Sequence, residues 1–219
     1  MFVKKNAVIL LSGGLDSAVT LYYAKDRGYK LTALIFDYKQ RHKKEVDFAL
    51  QLARLNNIEF YVMKIGLDWV KSSLTDKKIK VPFNRGLENK DVPLTYVSGR
   101  NIIFLSYAAS LAESIAAKSI FIGAHIQDYS GYPDCRPEFL KSFEKALNEG
   151  LKYKGVRIIS PLLNKSKKEI IQLGVKLKVP FEYTWSCYQG GKTPCGKCDS
   201  CRFRVEAFEE LGMNDSLLR

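Results

Sequence analysis

The stretch Ala7-Val8-Ile9-Leu10-Leu11-Ser12-Gly13-Gly14-Leu15-Asp16-Ser17-Ala18-Val19-Thr20-Leu21-Tyr22-Tyr23-Ala24 decides how this chain folds. The apolar run Ala7–Leu11 reads as a buried strand, and Ala18–Ala24 as the first turns of a helix. Between them lies a glycine pair flanked by hydroxyls. The glycines let the backbone approach a ligand closely and take dihedrals closed to other residues. The helix start adds free N–H groups and the positive end of its dipole. Ser12 and Ser17 add hydroxyl donors. The loop is therefore built to hold phosphate or pyrophosphate, the bland alternative being a Gly-Gly turn that only joins strand to helix.

The loop lacks the Gly-Lys-Ser/Thr ending of a P-loop and does not read Gly-x-Gly-x-x-Gly. Ser12-Gly13-Gly14-Leu15-Asp16-Ser17 instead resembles the pyrophosphate loop of the N-type ATP pyrophosphatases, which split ATP into AMP and pyrophosphate while adenylating a carbonyl or carboxyl oxygen. Asp16 is a carboxylate where phosphate is expected. It is tolerable if Mg2+ lies between the charges or if it caps local N–H groups.

Outward from the loop, apolar runs at residues 7–11, 31–36, 58–65, 119–124 and 156–160 read as strands. They alternate with helical patterns at 16–27, 41–56, 101–117 and 137–151, the last with Pro137 at its start. Ser166-x-x-Glu169 is a capping box opening a helix to about Lys178, and Pro180 blocks its continuation. Such alternation predicts a parallel sheet covered on both faces, with ligands at the C-terminal strand edge. Residues 66–98, with Pro82, Asn84, Gly86 and Pro93, show little regular pattern and are a candidate lid or partner contact. No internal repeat is visible.

The 219 residues, 46% hydrophobic, suffice for one sizeable core with a small appendage. No run approaches the ~20 apolar residues that span a bilayer. Met1–Asn6 runs straight into the first strand, so neither a signal peptide nor a membrane is expected, and the expected location is the cytoplasm. The formal charge of +12 comes from lysines spread along the chain. They read as a solvated basic surface that attracts anionic substrates such as ATP; a tRNA-binding face is the sharper alternative. Without an aromatic-interleaved basic stripe, nucleic-acid binding is not required.

Cys187, Cys195, Cys198 and Cys201 cluster near the C-terminus. In a cytosolic chain this argues for metal rather than disulfides. Cys195-Gly196-Lys197-Cys198 resembles a zinc knuckle, and Cys198 and Cys201 have helical i, i+3 spacing. Four thiolates would close a tetrahedral structural Zn2+ site without an open position. An iron–sulfur cluster is the chemical alternative that spacing alone leaves open. The segment Gly123–Phe139 follows the fourth strand and is dense in polar groups. Its carboxylates, tyrosines and arginine could recognise a planar hydrogen-bonding substrate. Cys135 reads as a nucleophile or a small core residue, and His125 is equally ambiguous.

Taken together, the chain resembles the 7-cyano-7-deazaguanine synthases over roughly residues 6–211. The resemblance rests on Ser12–Ser17, Gly99-Arg100-Asn101, Asp128–Phe139, Thr184-Trp185-Ser186-Cys187-Tyr188 and Cys195–Cys201. Many relatives carry proline before Gly-Arg-Asn, where this chain has Ser98. The resemblance implies an α/β, Rossmann-like fold of the adenine nucleotide alpha hydrolase type over residues 1–180, with a zinc-binding segment at 181–219. It implies that Leu10, Leu11, Ser12, Gly13, Gly14, Leu15, Asp16, Ser17, Ala18, Val19 and Thr20 bind ATP. It also implies that Cys187, Cys195, Cys198 and Cys201 bind Zn2+ and that the protein is a homodimer. The implied reaction is ATP-dependent ligation of 7-carboxy-7-deazaguanine and free ammonia to the nitrile, through an adenylate and an amide, for queuosine or archaeosine. Ser12, Asp16, Ser17 and Arg100, with Mg2+, are the candidate catalytic set; Asp128, Tyr129, Asp134 and Arg136 are candidate heterocycle contacts.

Two other readings fit parts of this sequence. A tRNA-thiolating ATP pyrophosphatase would use the same loop but needs a sulfur carrier. Cys135 could serve, yet no partner cysteine lies in the main domain. A non-catalytic RNA-binding zinc module would leave the Asp128–Phe139 signature without a purpose.

Overall fold

A computed structural model describes residues 5–83, 91–125 and 131–218. The strands β1 (Asn6–Leu10), β2 (Lys30–Asp37), β3 (Glu59–Lys64), β4 (Ser119–Phe121) and β5 (Arg157–Ile159) form one parallel sheet in the order β3-β2-β1-β4-β5. The helices are α1 (Leu15–Asp26), α2 (Lys44–Leu55), α3 (Arg100–Ser114), α4 (Pro137–Gly150), α5 (Lys167–Lys176) and α6 (Asp199–Glu209).

Why the strands read as unbroken apolar runs follows from side-chain alternation. Ala7, Ile9 and Leu11 of the first strand, with Leu31, Ala33 and Ile35 of the second, pack on Leu15 and Val19 of α1, Ala49 and Leu52 of α2, and Ile170 of α5. Val8 and Leu10, with Leu34 and Phe36, point the other way, onto Leu105, Ala108 and Ala112 of α3 and Leu140 of α4. Both faces are covered, so neither set can be polar. The edge strand β3 departs from this rule and leaves Tyr61 and Val62 exposed.

All expected strands and helices form, with ends shifted for local reasons. The helix expected from residue 41 starts at Lys44 because Lys39 has φ +59° and Gln40 folds back, donating to the Phe36 carbonyl at 3.2 Å and accepting from Tyr38 N–H at 2.9 Å. The helix expected to reach residue 117 stops at Ser114, where Ala116 turns to φ +52° and Ala117 N–H returns to Ala112 O at 2.8 Å. The capping box is formed: Ser166 N–H donates to Glu169 Oε2 at 2.8 Å and Glu169 N–H to Ser166 Oγ at 3.3 Å. Residues 66–83 are held by Arg41, whose Nη1 donates to the carbonyls of Ser73, Asp76 and Ile79.

The chain runs outward from β1 to β3 and then resumes at β4 on the other side of β1. The switch point between β1 and β4 opens a crevice beyond their C-terminal ends, where such folds bind ligands. Residues 181–218 wrap back over it. Phe181, Ala207 and Phe208 join the main core, while Val81, Trp185, Cys187, Cys198 and Cys201 make a small cluster of their own. Arg204, 3% exposed, staples this segment. It binds Asp215 in a fork at 2.6 and 2.8 Å, and also the Phe181 carbonyl and the Thr184 hydroxyl. Arg204→Ala strands the Asp215 carboxylate in the interior and should cost about 3–5 kcal/mol in denaturant unfolding, whereas a loss below about 1 kcal/mol would show the staple to be dispensable.

Candidate active site

The phosphate loop is shaped by what surrounds Gly13. Its φ is +80°, and a Cβ there would lie 2.2 Å from the Glu45 carbonyl oxygen, so the backbone of α2 sits directly against it. On the other side Trp185 N–H donates to the Gly13 carbonyl at 2.8 Å. Gly123, just beyond β4, has the same logic: a Cβ there would come within 3.1 Å of the Asp16 and Ser17 backbone. Gly14 caps α1, and a hydroxyl ring closes the loop. Ser12 Oγ donates to Ser17 Oγ at 3.1 Å, Ser17 Oγ to Gly14 O at 3.0 Å, and Gly14 N–H to Ser12 Oγ at 3.3 Å. The first-turn N–H groups of α1 face the crevice without intrahelical acceptors.

The cavity is walled by Leu10, Ser12, Asp16 and Ser17 of the loop region, Tyr38 after β2, Glu45 of α2, Arg100 and Asn101 of α3, and Trp185 and Tyr188 of the C-terminal segment. Of the expected ATP-binding stretch, Leu10, Leu11, Ser12, Gly14, Leu15, Asp16 and Ser17 line it. Ala18, Val19 and Thr20 are buried inside α1, with the Thr20 hydroxyl donating to Asp16 O at 2.9 Å.

Asp16 is not bare. Lys167 Nζ lies 2.7 Å from Oδ1, His125 Nε2 lies 3.5 Å from Oδ2, and Lys167 and His125 are 3.0 Å apart. Burial alone would raise the Asp16 pKa, but the charge of Lys167 and the His125 contact overcome it and hold the carboxyl well below the usual carboxylate range. Lys167 is the first residue of α5. Every helix that follows a parallel strand starts at this sheet edge, so the capping box at Ser166 was the signal that could have singled Lys167 out from its neighbouring lysines.

Arg100 opens α3 and donates to the Tyr38 hydroxyl at 3.1 Å. Burial disfavours its charge, but Tyr38, Tyr132 and Asp134 outweigh that and keep its pKa above the ordinary value. Burial raises Tyr38 as well. Glu45, in the first turn of α2, is pushed up to about 7 by burial, against the pull of Arg100. Asp134 is buried and accepts from Asn101 N–H at 2.9 Å, capping α3, while Asn101 Nδ2 donates to the Asp134 carbonyl at 3.3 Å and Cys135 Sγ at 3.2 Å. Cys135 is a buried residue of the cavity wall. Arg136 is exposed and lies off the wall. Asp128 and Tyr129 fall outside the described residues. Gly99 has φ +65°, with its N–H donating to the Tyr96 hydroxyl at 3.1 Å; Ser98 before it is exposed.

The Sγ atoms of Cys187, Cys195, Cys198 and Cys201 lie within 4.8 Å of one another. A tetrahedral zinc with bonds of about 2.3 Å needs sulfurs about 3.8 Å apart. Backbone N–H groups of Gln189 and Cys195 aim at Cys187 Sγ, at 3.4 and 3.3 Å, and those of Lys197 and Cys198 at Cys195 Sγ, at 3.5 and 3.4 Å. Gly196, at φ +68°, makes the turn. The donor set fits Zn2+; a multi-iron core would hold the sulfurs farther apart than a single ion does.

Fold and loop together define an α/β nucleotide-binding protein with an ATP-pyrophosphatase-type phosphate site and a four-cysteine zinc-type cluster. A family model described as "Queuosine biosynthesis protein QueC" matches residues 6–212, and the chain belongs to that family. Its relatives include the 7-cyano-7-deazaguanine synthase of Trichodesmium erythraeum, 47% identical over 97% of this chain and 99% of that one. That of Clostridium kluyveri is 50% identical over 97% of each chain. That of Thermoplasma acidophilum is 49% identical over 98% of this chain and 92% of its own. Among solved structures, NMN synthetase from Francisella tularensis shares the fold, with TM-score 0.52 and 20% identity over 97% of this chain and 79% of that one. No helix among the described residues is long and apolar enough to cross a membrane.

The pair Asp16–Lys167 has a sign that can be read. A depressed folded-state pKa makes its contribution to stability complete above the ordinary carboxylate value near 4 and lost as pH falls below it. Stability should therefore fall as pH drops below about 4, and Asp16→Asn should flatten that acid limb in thermal unfolding; an unchanged acid limb in the variant would contradict the pairing. Lys167→Ala should slow ATP-dependent pyrophosphate release about 100- to 1000-fold, with unchanged rates contradicting a role at the phosphates.

Proposed function

We propose that this chain is an ATP-dependent ligase that converts 7-carboxy-7-deazaguanine and ammonia into 7-cyano-7-deazaguanine. The observation that carries the reading is the Ser12–Ser17 phosphate loop at the sheet switch point, pinned by Trp185 of the four-cysteine segment. The names of the relatives favour this reading over tRNA thiolation.

In this reading the substrate carboxylate attacks the α-phosphorus of ATP, and pyrophosphate leaves. Ammonia then displaces AMP to give the amide. A second ATP activates the amide oxygen, and loss of AMP with the two amide protons leaves the nitrile. The chain's part is electrostatic. The α1 N-terminus, Ser12 and Ser17 hold the departing pyrophosphate, and Lys167 and Arg100 supply fixed positive charge. Asp16 positions Lys167 rather than meeting phosphate itself. Lys167 holds its Oδ1 while the carboxyl still lines the cavity, so Asp16 could help hold a Mg2+ that entered with the ATP phosphates, which would neutralise charge on the departing pyrophosphate. Asp134 acts through α3, by fixing the start of the helix that carries Arg100. Asp128 and Tyr129 keep their role as heterocycle contacts, and Arg136 is left as a surface residue. Residues 1–180 form the catalytic unit and 181–219 the zinc-held brace. A homodimer in the cytoplasm completes the proposal, the exposed edge of β3 being a surface such a dimer could cover.

Mass spectrometry of the products from 7-carboxy-7-deazaguanine, ATP, Mg2+ and ammonium tests it. The nitrile, with one AMP and one pyrophosphate for each activation, is the expected result. A folded, zinc-loaded protein that binds ATP and leaves the heterocycle untouched would overturn it.

A further inference from the structure

We infer that Glu45 is the residue that reads the donor edge of the heterocycle, accepting hydrogen bonds from the ring N–H and exocyclic amine of a guanine-type base. This rests on the functional reading above and deepens it.

The argument starts from what the cavity wall offers. A guanine-type edge presents two adjacent N–H donors, which a carboxylate accepts side by side. Asp16 is paired with Lys167 and belongs to the phosphate loop itself, and Asp134 is buried and committed to capping α3. Among the described residues, Glu45 is then the remaining carboxylate in the wall. Its carboxyl makes no hydrogen bond and no ion pair with any described residue, although it is only partly exposed. A carboxylate drawn out of water without a donor is costly unless a ligand brings one. Burial pushing its pKa up is the same fact seen from another side.

Its placement is also rigid. Glu45 sits in the first turn of α2, and its own carbonyl is the atom against which Gly13 packs. The backbone that carries the carboxylate is thereby held at a fixed distance from the phosphate loop. A specificity group in an adenylating enzyme needs this, since the ring must be fixed while its carboxylate meets the α-phosphate. Tyr38, Tyr132 and Trp185 supply aromatic surface in the same wall for a planar ring.

The test is equilibrium binding to the zinc-loaded full chain. The probes are ATP, 7-carboxy-7-deazaguanine, and the same heterocycle lacking the 2-amino group. Glu45→Gln keeps the shape but turns an N–H2 toward the donors. It should weaken binding of the full heterocycle roughly 10- to 100-fold, leave ATP affinity within about twofold, and abolish the wild-type preference for the 2-amino compound. Equal binding of the heterocycle by wild type and variant would overturn the assignment alone. So would a parallel loss of ATP affinity, or a change confined to the KM for ammonium. A wild-type protein that does not bind the heterocycle would overturn the functional reading and this assignment together.

Discussion

A missing side chain at Gly13 is the constraint on which the site depends. The backbone of α2 and the N–H of Trp185 close on this residue from two sides, and no Cβ could be accommodated. Trp185 belongs to the cluster that contains Cys187, Cys198 and Cys201, and its indole N–H donates to the Cys187 carbonyl at 2.8 Å. Lys44 lies over the same ring at 4.3 Å and reaches the Lys192 carbonyl at 2.9 Å. The four-cysteine segment, far from the loop in sequence, is thus one hydrogen bond from the phosphate site. A thiolate shell closed on Zn2+ would have no chemistry to offer substrate, and the value we propose for it is mechanical. It fixes a short segment, which in turn fixes the loop.

Charge at the site is organised by helix starts. Asp16, Glu45, Arg100 and Lys167 all lie in first turns, on four helices that begin at the same edge of the parallel sheet. The sheet needs only apolar strands to assemble; once assembled, it brings those four turns together from distant parts of the chain. Lys167 and Asp16 are 151 positions apart and meet at 2.7 Å. A carboxylate beside a phosphate site becomes tolerable because Lys167, itself largely covered, neutralises it.

Much of this was legible in the sequence for a physical reason. Strands buried on both faces must be apolar throughout, so β1, β2 and β4 announce themselves, and the phosphate loop needs glycine where no other residue fits. The thiolate spacing was equally direct. What could not be read was partnership. Asp134 looked like a substrate contact because it stands in a polar loop, yet its carboxylate caps α3. Arg41 stands in no motif, yet it ties down the carbonyls of Ser73, Asp76 and Ile79. Glu45 carried no motif at all. Its meaning comes from lining a cavity in which the other described acids are already taken, a relation that periodicity does not encode.

The central claim is that the four-cysteine segment holds the phosphate loop in shape. Hydrogen exchange of the zinc-loaded protein, before and after chelation and with ATP affinity measured on the same samples, tests it most directly. The account predicts that amides at residues 12–17 lose protection together with those at 185–201, and that ATP binding weakens in step. Deprotection confined to 185–201, with the loop amides and ATP affinity unchanged, would contradict it.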